Sequence, residues 1–262
     1  MEAFALYLLK SVIWLTGFAL VYFLFLRNER FFFIKRIYLV AGILLSFLLP
    51  LFTIHYAAEV PSLATLPRDV STELAGTSGS PQLQSHSSQF DPRLILLIIY
   101  VAGFIFLAVR LIRQLNPLIR TIKRTRSNVF RNARLVRSPE VGGSFSFFSY
   151  VFINPSVNKA ELEMIMNHEL VHVNQKHWID LMLVELIRLF QWMNPVAWIY
   201  SGFIRQNHEY IADQVALQHA PEPAVYKAVL VNQLVGKRIF SLSNSFDYSL
   251  NKKRFDMMIK VV

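Results

Sequence analysis

The chain has 262 residues, of which 54% are hydrophobic and 14% aromatic, a balance too apolar for an ordinary soluble domain of this length and one that points to membrane spans. A formal net charge of +10 suits nucleic-acid binding in a soluble protein, but in a membrane protein basic residues mark cytoplasmic loops, so the placement of the charges decides between the two. There is no cysteine, which excludes disulfides and thiolate ligands and leaves His, Asp and Glu for any metal.

From Phe4 to Leu26 the chain is almost continuously apolar, broken by Lys10, and about 20 such residues cross a hydrocarbon core. A cleaved signal peptide would open on basic residues and close on a small-residue site. This segment opens on Met1-Glu2-Ala3 and closes on Phe25-Leu26-Arg27, so it reads as a span. A short basic turn with Arg27, Arg30, Lys35 and Arg36 leads into a second apolar run, Ile37 to Ile54, with Pro50 placed to kink its far end. Residues 1–56 are therefore read as two spans joined by a cytoplasmic turn.

Residues 57–92 are rich in Ser, Thr, Gly, Pro and Gln, lack periodicity and read as an external flexible loop. Residues 93–112, built on the apolar run Leu94 to Val109, form the third span. Arg110, Arg113, Arg120, Lys123, Arg124, Arg126, Arg131, Arg134 and Arg137 follow with no acidic residue among them. Both basic stretches thus fall on one side of the spans, which puts the N-terminus and the Ser-rich loop outside and starts the rest, 113–262, in the cytoplasm. The basic run is expected to lie against anionic headgroups or to meet a partner. Nucleic acid is the runner-up, disfavoured by sparse aromatic interleaving and the lack of a DNA-reading motif.

Between Arg134 and Asn154 the pattern turns to extended pieces. Leu135 and Val136 precede a turn at Ser138-Pro139-Glu140, and Gly142-Gly143 leads into an aromatic and β-branched run ending at Asn154, which predicts two strands in a hairpin. A strand just ahead of a metal-site helix either pairs with an extended peptide or only covers that helix.

The helix beginning at Lys159 carries the chemistry. Asn158 and Glu161 have the spacing of an N-cap and its reciprocal partner, and Leu162, Ile165, Met166, Glu169 and Val173 follow at helical spacing. At its centre stands His168-Glu169-Leu170-Val171-His172. With about 3.6 residues per turn, both imidazoles project from one face and can bind a single metal ion. Glu169 is placed to hold water rather than the metal. Hydrolysis with zinc needs a third protein ligand and an open position. The five residues taken alone also fit surface groups with no metal.

Leu181 to Ile204 is apolar enough to suggest a fourth span, but Glu185, Arg188 and the Asn194-Pro195 break argue against it. A full crossing would strand everything downstream on the far side from His168 and His172. A helical hairpin turning at Asn194-Pro195 brings the chain back instead, and what returns includes His208-Glu209-Tyr210-Ile211-Ala212-Asp213. Glu209 and Asp213 share a helical face, which suits a third ligand and an acceptor for a ligand histidine's other ring nitrogen. His208 is the rival third ligand. His177 and His219 lack ligand spacing and read as surface or packing histidines.

HELVH, the segment Trp192-Met193-Asn194-Pro195-Val196-Ala197-Trp198 and Glu209-Tyr210-Ile211-Ala212-Asp213, in that order behind three spans, resemble the BlaR/MecR-type integral-membrane zinc metallopeptidases of bacteria. The resemblance implies a mainly α membrane protein, with three transmembrane helices and a membrane-associated α+β, gluzincin-like peptidase domain. It implies zinc held by His168, His172 and Glu209, Glu169 as general base, and Asp213 behind the ligands. It further implies a bacterial inner-membrane location and a role in regulated proteolysis or signalling, with a protein substrate such as a transcriptional repressor, another membrane protein or the chain itself. Members that sense β-lactams carry a further span and an external penicillin-binding domain. Nothing up to Val262 supports that sensing, so the expectation is a member without that part or a chain cut before it. The rivals are a non-catalytic signalling scaffold, which has no use for Glu169, and a housekeeping membrane protease of the HtpX or CAAX-endopeptidase kind.

Overall fold

A computed structural model describes residues 2–52, 92–124, 127–139, 143–219, 222–236 and 253–259. The predicted external loop, apart from Pro92, lies outside the described residues.

Three helices are long and apolar enough to cross a membrane. Helix α1 (Glu2–Val21) runs on through a π turn at Tyr22–Leu26, and α2 (Phe32–Leu48) ends in a 3-10 turn at Leu49–Leu51 that contains Pro50. Helix α3 (Pro92–Arg124) passes the predicted end of the third span at 112 and carries the start of the basic run as helix. Arg and Lys are good helix formers, so the change from apolar to basic does not itself end the element. None of the apolar window of α3 is buried within the chain, and large side chains such as Phe106, Val109 and Ile112 are exposed on it. A bilayer provides the solvent such a surface needs.

The extended region differs from the expected single hairpin. Four strands, β1 (Asn128–Phe130), β2 (Ala133–Arg137), β3 (Phe145–Phe147) and β4 (Tyr150–Ile153), form a sheet of order β1-β2-β4-β3. Of the two pieces predicted to pair as a hairpin, the first is β2, while the aromatic run ending at Asn154 splits into β3 and β4, and β2 runs parallel to β4. The hairpins are β1–β2 and β3–β4, each closed by a two-residue turn whose first residue, Arg131 or Phe148, is left-handed. Such turns favour Gly, Asn or Asp at that position. Arg131 and Phe148 carry no such signal, which is why the turns were not legible.

Helix α4 (Lys159–Asn174) starts where expected, with extended backbone at Asn158, but the Asn158 side chain makes no capping bond. Lys176, left-handed, reverses the chain into α5 (His177–Phe190). A tight turn then opens α6 (Pro195–His219) at a proline, whose fixed φ and missing N–H suit a first helical position. The hairpin anticipated at Asn194-Pro195 is there. Asn194 Oδ1 accepts from the Val196 amide, Asn194 Nδ2 donates to Gln191 Oε1, and Gln191 Nε2 donates to Ser11 Oγ in the middle of α1. Ser11, Gln191 and Asn194 are all buried, and these bonds satisfy their polar atoms among the spans. Trp192 lies so close against α3 that a Cβ on Gly103 would overlap its ring, while its Nε1 donates to the Tyr100 carbonyl.

The α5–α6 hairpin therefore shares one core with α1 and α2: Leu15, Ala19, Tyr22, Leu39, Ile43, Val184, Ile187, Ala197, Tyr200 and Ile204. A second core joins the sheet to α4 through Leu135, Val151, Ile153, Ile165, Met166, Leu170 and Val173. Helix α7 (Pro223–Gly236) and a short helix over 253–259 close over the end of α6.

Candidate metal centre

Packing sets the rotation of α4. Ile165, Met166, Leu170 and Val173 face the sheet, and Val171 packs with Tyr210, Ile211 and Ala212 of α6. His168 and His172 are left facing α6. The start of α2 holds α6 in register, because Asn207 Nδ2 donates to the Phe32 carbonyl and the Tyr210 ring packs on Phe32. Glu209 thereby faces the two histidines.

The three donor sets converge. His168 Nε2 and His172 Nε2 are 3.3 Å apart, Glu209 Oε2 is 3.5 Å from the first, and Glu209 Oε1 is 3.7 Å from the second. A tetrahedral ion with bonds of about 2.0–2.1 Å to its ligands needs donors about 3.3–3.5 Å apart, so this spacing fits such an ion. The rival, His208, turns away: its Nε2 bonds Asp180 Oδ2 at 2.7 Å.

Each imidazole is held from behind. His168 Nδ1 lies 2.9 Å from Tyr226 Oη and 3.3 Å from Asp213 Oδ1, while Tyr226 donates to Asp213 at 2.8 Å. With an ion bound, His168 would keep its proton on Nδ1 and offer Nε2 to the metal. His172 Nδ1 is 2.8 Å from His177 Nδ1, and His177 Nε2 is 3.2 Å from Gln175 Oε1. With Nε2 of His172 reserved for an ion, His172 Nδ1–H donates to His177 Nδ1, and His177 Nε2–H donates to Gln175. His177 is thus a buried acceptor behind the site, stacked on His208 at 4.0 Å. Asp180 continues this network to α2 through Arg36, whose Nε donates to Asp180 Oδ2 at 2.7 Å.

Arg254, from the helix over 253–259, crosses the other side. Its Nε and Nη2 donate to the two Asp213 oxygens at 2.8 and 2.7 Å, and its Nη1 lies 2.9 Å from Glu209 Oε2. Burial pushes both carboxylates up, but the guanidinium and His168 outweigh it, leaving Asp213 below and Glu209 well below their usual ranges. Burial acts downward on His168 too, and is outweighed by its bonds to Asp213 and Glu209, which raise it to about 10. For His172 burial prevails over Glu209, and its pKa falls to about 3. Burial likewise drives His177 down.

Glu169 projects beside this cluster, buried and hydrogen-bonded to Ser144 and to Ser146 of β3. Its pKa is raised, chiefly by burial and against the pull of His168. A shallow cleft lined by Met164, Val229, Leu230 and Tyr226 opens next to it.

Sequence spacing located His168, Glu169, His172, Glu209 and Asp213, and the structure brings all five together. It missed Tyr226, His177, Asp180, Arg36 and Arg254. His177 escaped because the left-handed turn at Lys176 ends the helical period on which ligand spacing rests. Arg254 stands in a basic cluster near the chain's end that carried no sign of its buried partners.

Two histidines and a carboxylate able to hold a metal ion thus sit on a chain with three helices long and apolar enough to cross a membrane. The chain belongs to the BlaR1 peptidase M56 family, whose sequence model matches residues 39–258. That agrees with the resemblance seen in HELVH and its downstream segments. No curated protein matches the chain.

Proposed function

We propose that the protein is a zinc-dependent endopeptidase of the bacterial inner membrane that cleaves a protein substrate, a transcriptional repressor or the chain itself, on the cytoplasmic side during regulated proteolysis. His168, His172 and Glu209 would hold the ion, with Asp213 and Tyr226 fixing His168 and His177 fixing His172. The observation that carries the reading is the convergence of two imidazoles and a carboxylate within reach of one ion, with a buried carboxylate, Glu169, beside them. Zinc in such a site supplies a Lewis acid and lowers the pKa of water to about 7.

The chain's own groups do the rest. Glu169, its pKa already raised, takes the proton of the attacking water and later delivers it to the leaving amine. Among the described residues β3 pairs with β4 alone and is an edge of the sheet, so its free backbone groups can pair with an extended peptide above Glu169. The bonds from Ser144 and Ser146 to Glu169 set this edge beside the carboxylate, where an extended substrate would have to lie.

The test compares wild type with Glu169→Gln. Zinc content is expected to stay equal while cleavage falls by about 10²–10⁴-fold, the usual share of a general base. Unchanged proteolysis in the variant would remove the enzyme reading and leave the scaffold reading standing.

A further inference from the structure

Away from the metal centre, a cleft of about 220 Å³ opens between α3, α5 and α6. Its walls carry Arg110 from α3, Glu185 and Arg188 from α5, and Arg205 from α6, with Leu107, Leu111, Leu189 and Trp198 beside them. Arg188 stacks on the Trp198 ring at 3.8 Å and pairs with Glu185, which Arg205 also reaches at 3.1 Å. One carboxylate thus serves two arginines and Arg110 adds a third, so the cleft is net positive. Arg188 Nε is buried and has no hydrogen-bond partner among the described residues. A buried guanidinium N–H without an acceptor is costly, and an anionic oxygen in the cleft would relieve it.

The depth of the cleft selects the source of that oxygen. From Leu94, where the apolar run of α3 begins, to Arg110 and Gln114 is about 24–30 Å of helix at about 1.5 Å per residue. A hydrocarbon core is about 30 Å thick, so these residues stand at its far border, the level of lipid phosphates. The leucines and Trp198 give the same cleft an apolar side. A free phosphate ion uses the arginines only. A phospholipid uses both.

We infer that the cleft between α3, α5 and α6 is a binding site for the headgroup of an anionic phospholipid, its phosphate held by Arg110, Arg188 and Arg205 and its glycerol end lying against Leu107, Leu111 and Trp198. Basic pockets between membrane helices are of the kind that hold such headgroups. The cleft has room for a headgroup and leaves the acyl chains along the outside of α3. Because α5 and α6 also carry His177 and Glu209, a lipid seated there braces α3 against the two helices that frame the metal centre. The inference rests on the three-span reading and not on proteolysis.

The experiment is native mass spectrometry of the detergent-solubilised full chain with added phosphatidylglycerol, phosphatidylcholine or inorganic phosphate. Wild type should retain one phosphatidylglycerol in preference to phosphatidylcholine, and Arg110→Gln with Arg205→Gln should lower that retention by about tenfold or more. Lys227→Gln, which removes a charge on α7 away from both the cleft and the basic run, should leave it unchanged. Arg205→Gln alone, at a side chain 52% exposed, gives the same answer without disturbing the buried Arg188. Equal retention by all variants, or by both lipids, overturns the site. Displacement of the lipid by inorganic phosphate at equal concentration overturns the lipid assignment.

Discussion

Arg254 Nη1 lies 2.9 Å from Glu209 Oε2, so the helix over 253–259 places a cation directly against the carboxylate that would complete the metal site. The same guanidinium grips Asp213 with two bonds, and its side chain is only 11% exposed. Without a metal ion, Arg254 and His168 are the cations that offset the buried Asp213 and the half-buried Glu209.

Arg254→Gln should therefore destabilise the metal-free protein strongly, by about 3–5 kcal/mol, the usual cost of stranding buried charge. A bound divalent cation supplies the missing charge, so the loss should shrink sharply in zinc. Thermal melts with zinc and with chelator measure both. An equal loss under the two conditions would mean that Arg254 does not act through the charge of the site.

Metal uptake should release protons. His168, raised to about 10, carries a proton at neutral pH that an ion must displace, whereas His172, lowered to about 3, carries none. Glu209 is held well below the usual carboxylate range and adds none either. About one proton should leave per ion between about pH 7 and 9, with apparent affinity rising about tenfold per pH unit up to about 10. The proton also stabilises the metal-free fold, fully below the ordinary histidine value of about 6.5 and no longer above about 10. Calorimetric titration of zinc in buffers of different ionisation enthalpy counts the protons, and a count of zero would contradict the His168 assignment.

His177→Phe keeps the ring on His208 but removes the acceptor for His172 Nδ1–H. Loss of such a partner lowers metal affinity by about 10–100-fold. Chelator competition reads this directly. If His177 only packs, the affinity will not change.

Gly103→Ala puts a methyl group where Trp192 already sits. Overpacking of this kind costs about 1–3 kcal/mol, and the ring must move off α3 to relieve it. The expected result is a lower melting temperature with altered Trp fluorescence. Gly17→Ala, inside α1 with nothing within reach of the added atom, is the control and should melt no lower than wild type.

Much of this architecture could be read along the chain, because the forces responsible act over short stretches. Apolar length marks the three spans, helical period puts His168 and His172 on one face, and Pro195 ends one helix and opens the next. The need to return to the histidines then predicts the α5–α6 hairpin. The strand pairing was not readable in the same way. Arg131 and Phe148 make left-handed turns that their side chains do not favour, and those turns decide which strands become neighbours.

By itself the amino-acid order determined the membrane class, the two-histidine helix with its adjacent Glu169, and the face shared by Glu209 and Asp213, all consequences of composition or of spacing within a turn or two. Only the tertiary structure decided that Glu209 rather than His208 meets the histidines, that His177 backs His172, and that Arg254 and Arg36 tie the centre down. Arg254 reaches Asp213 across 41 residues and Arg36 reaches Asp180 across 144, and charge pairs at such separations exist only once packing has brought their helices together.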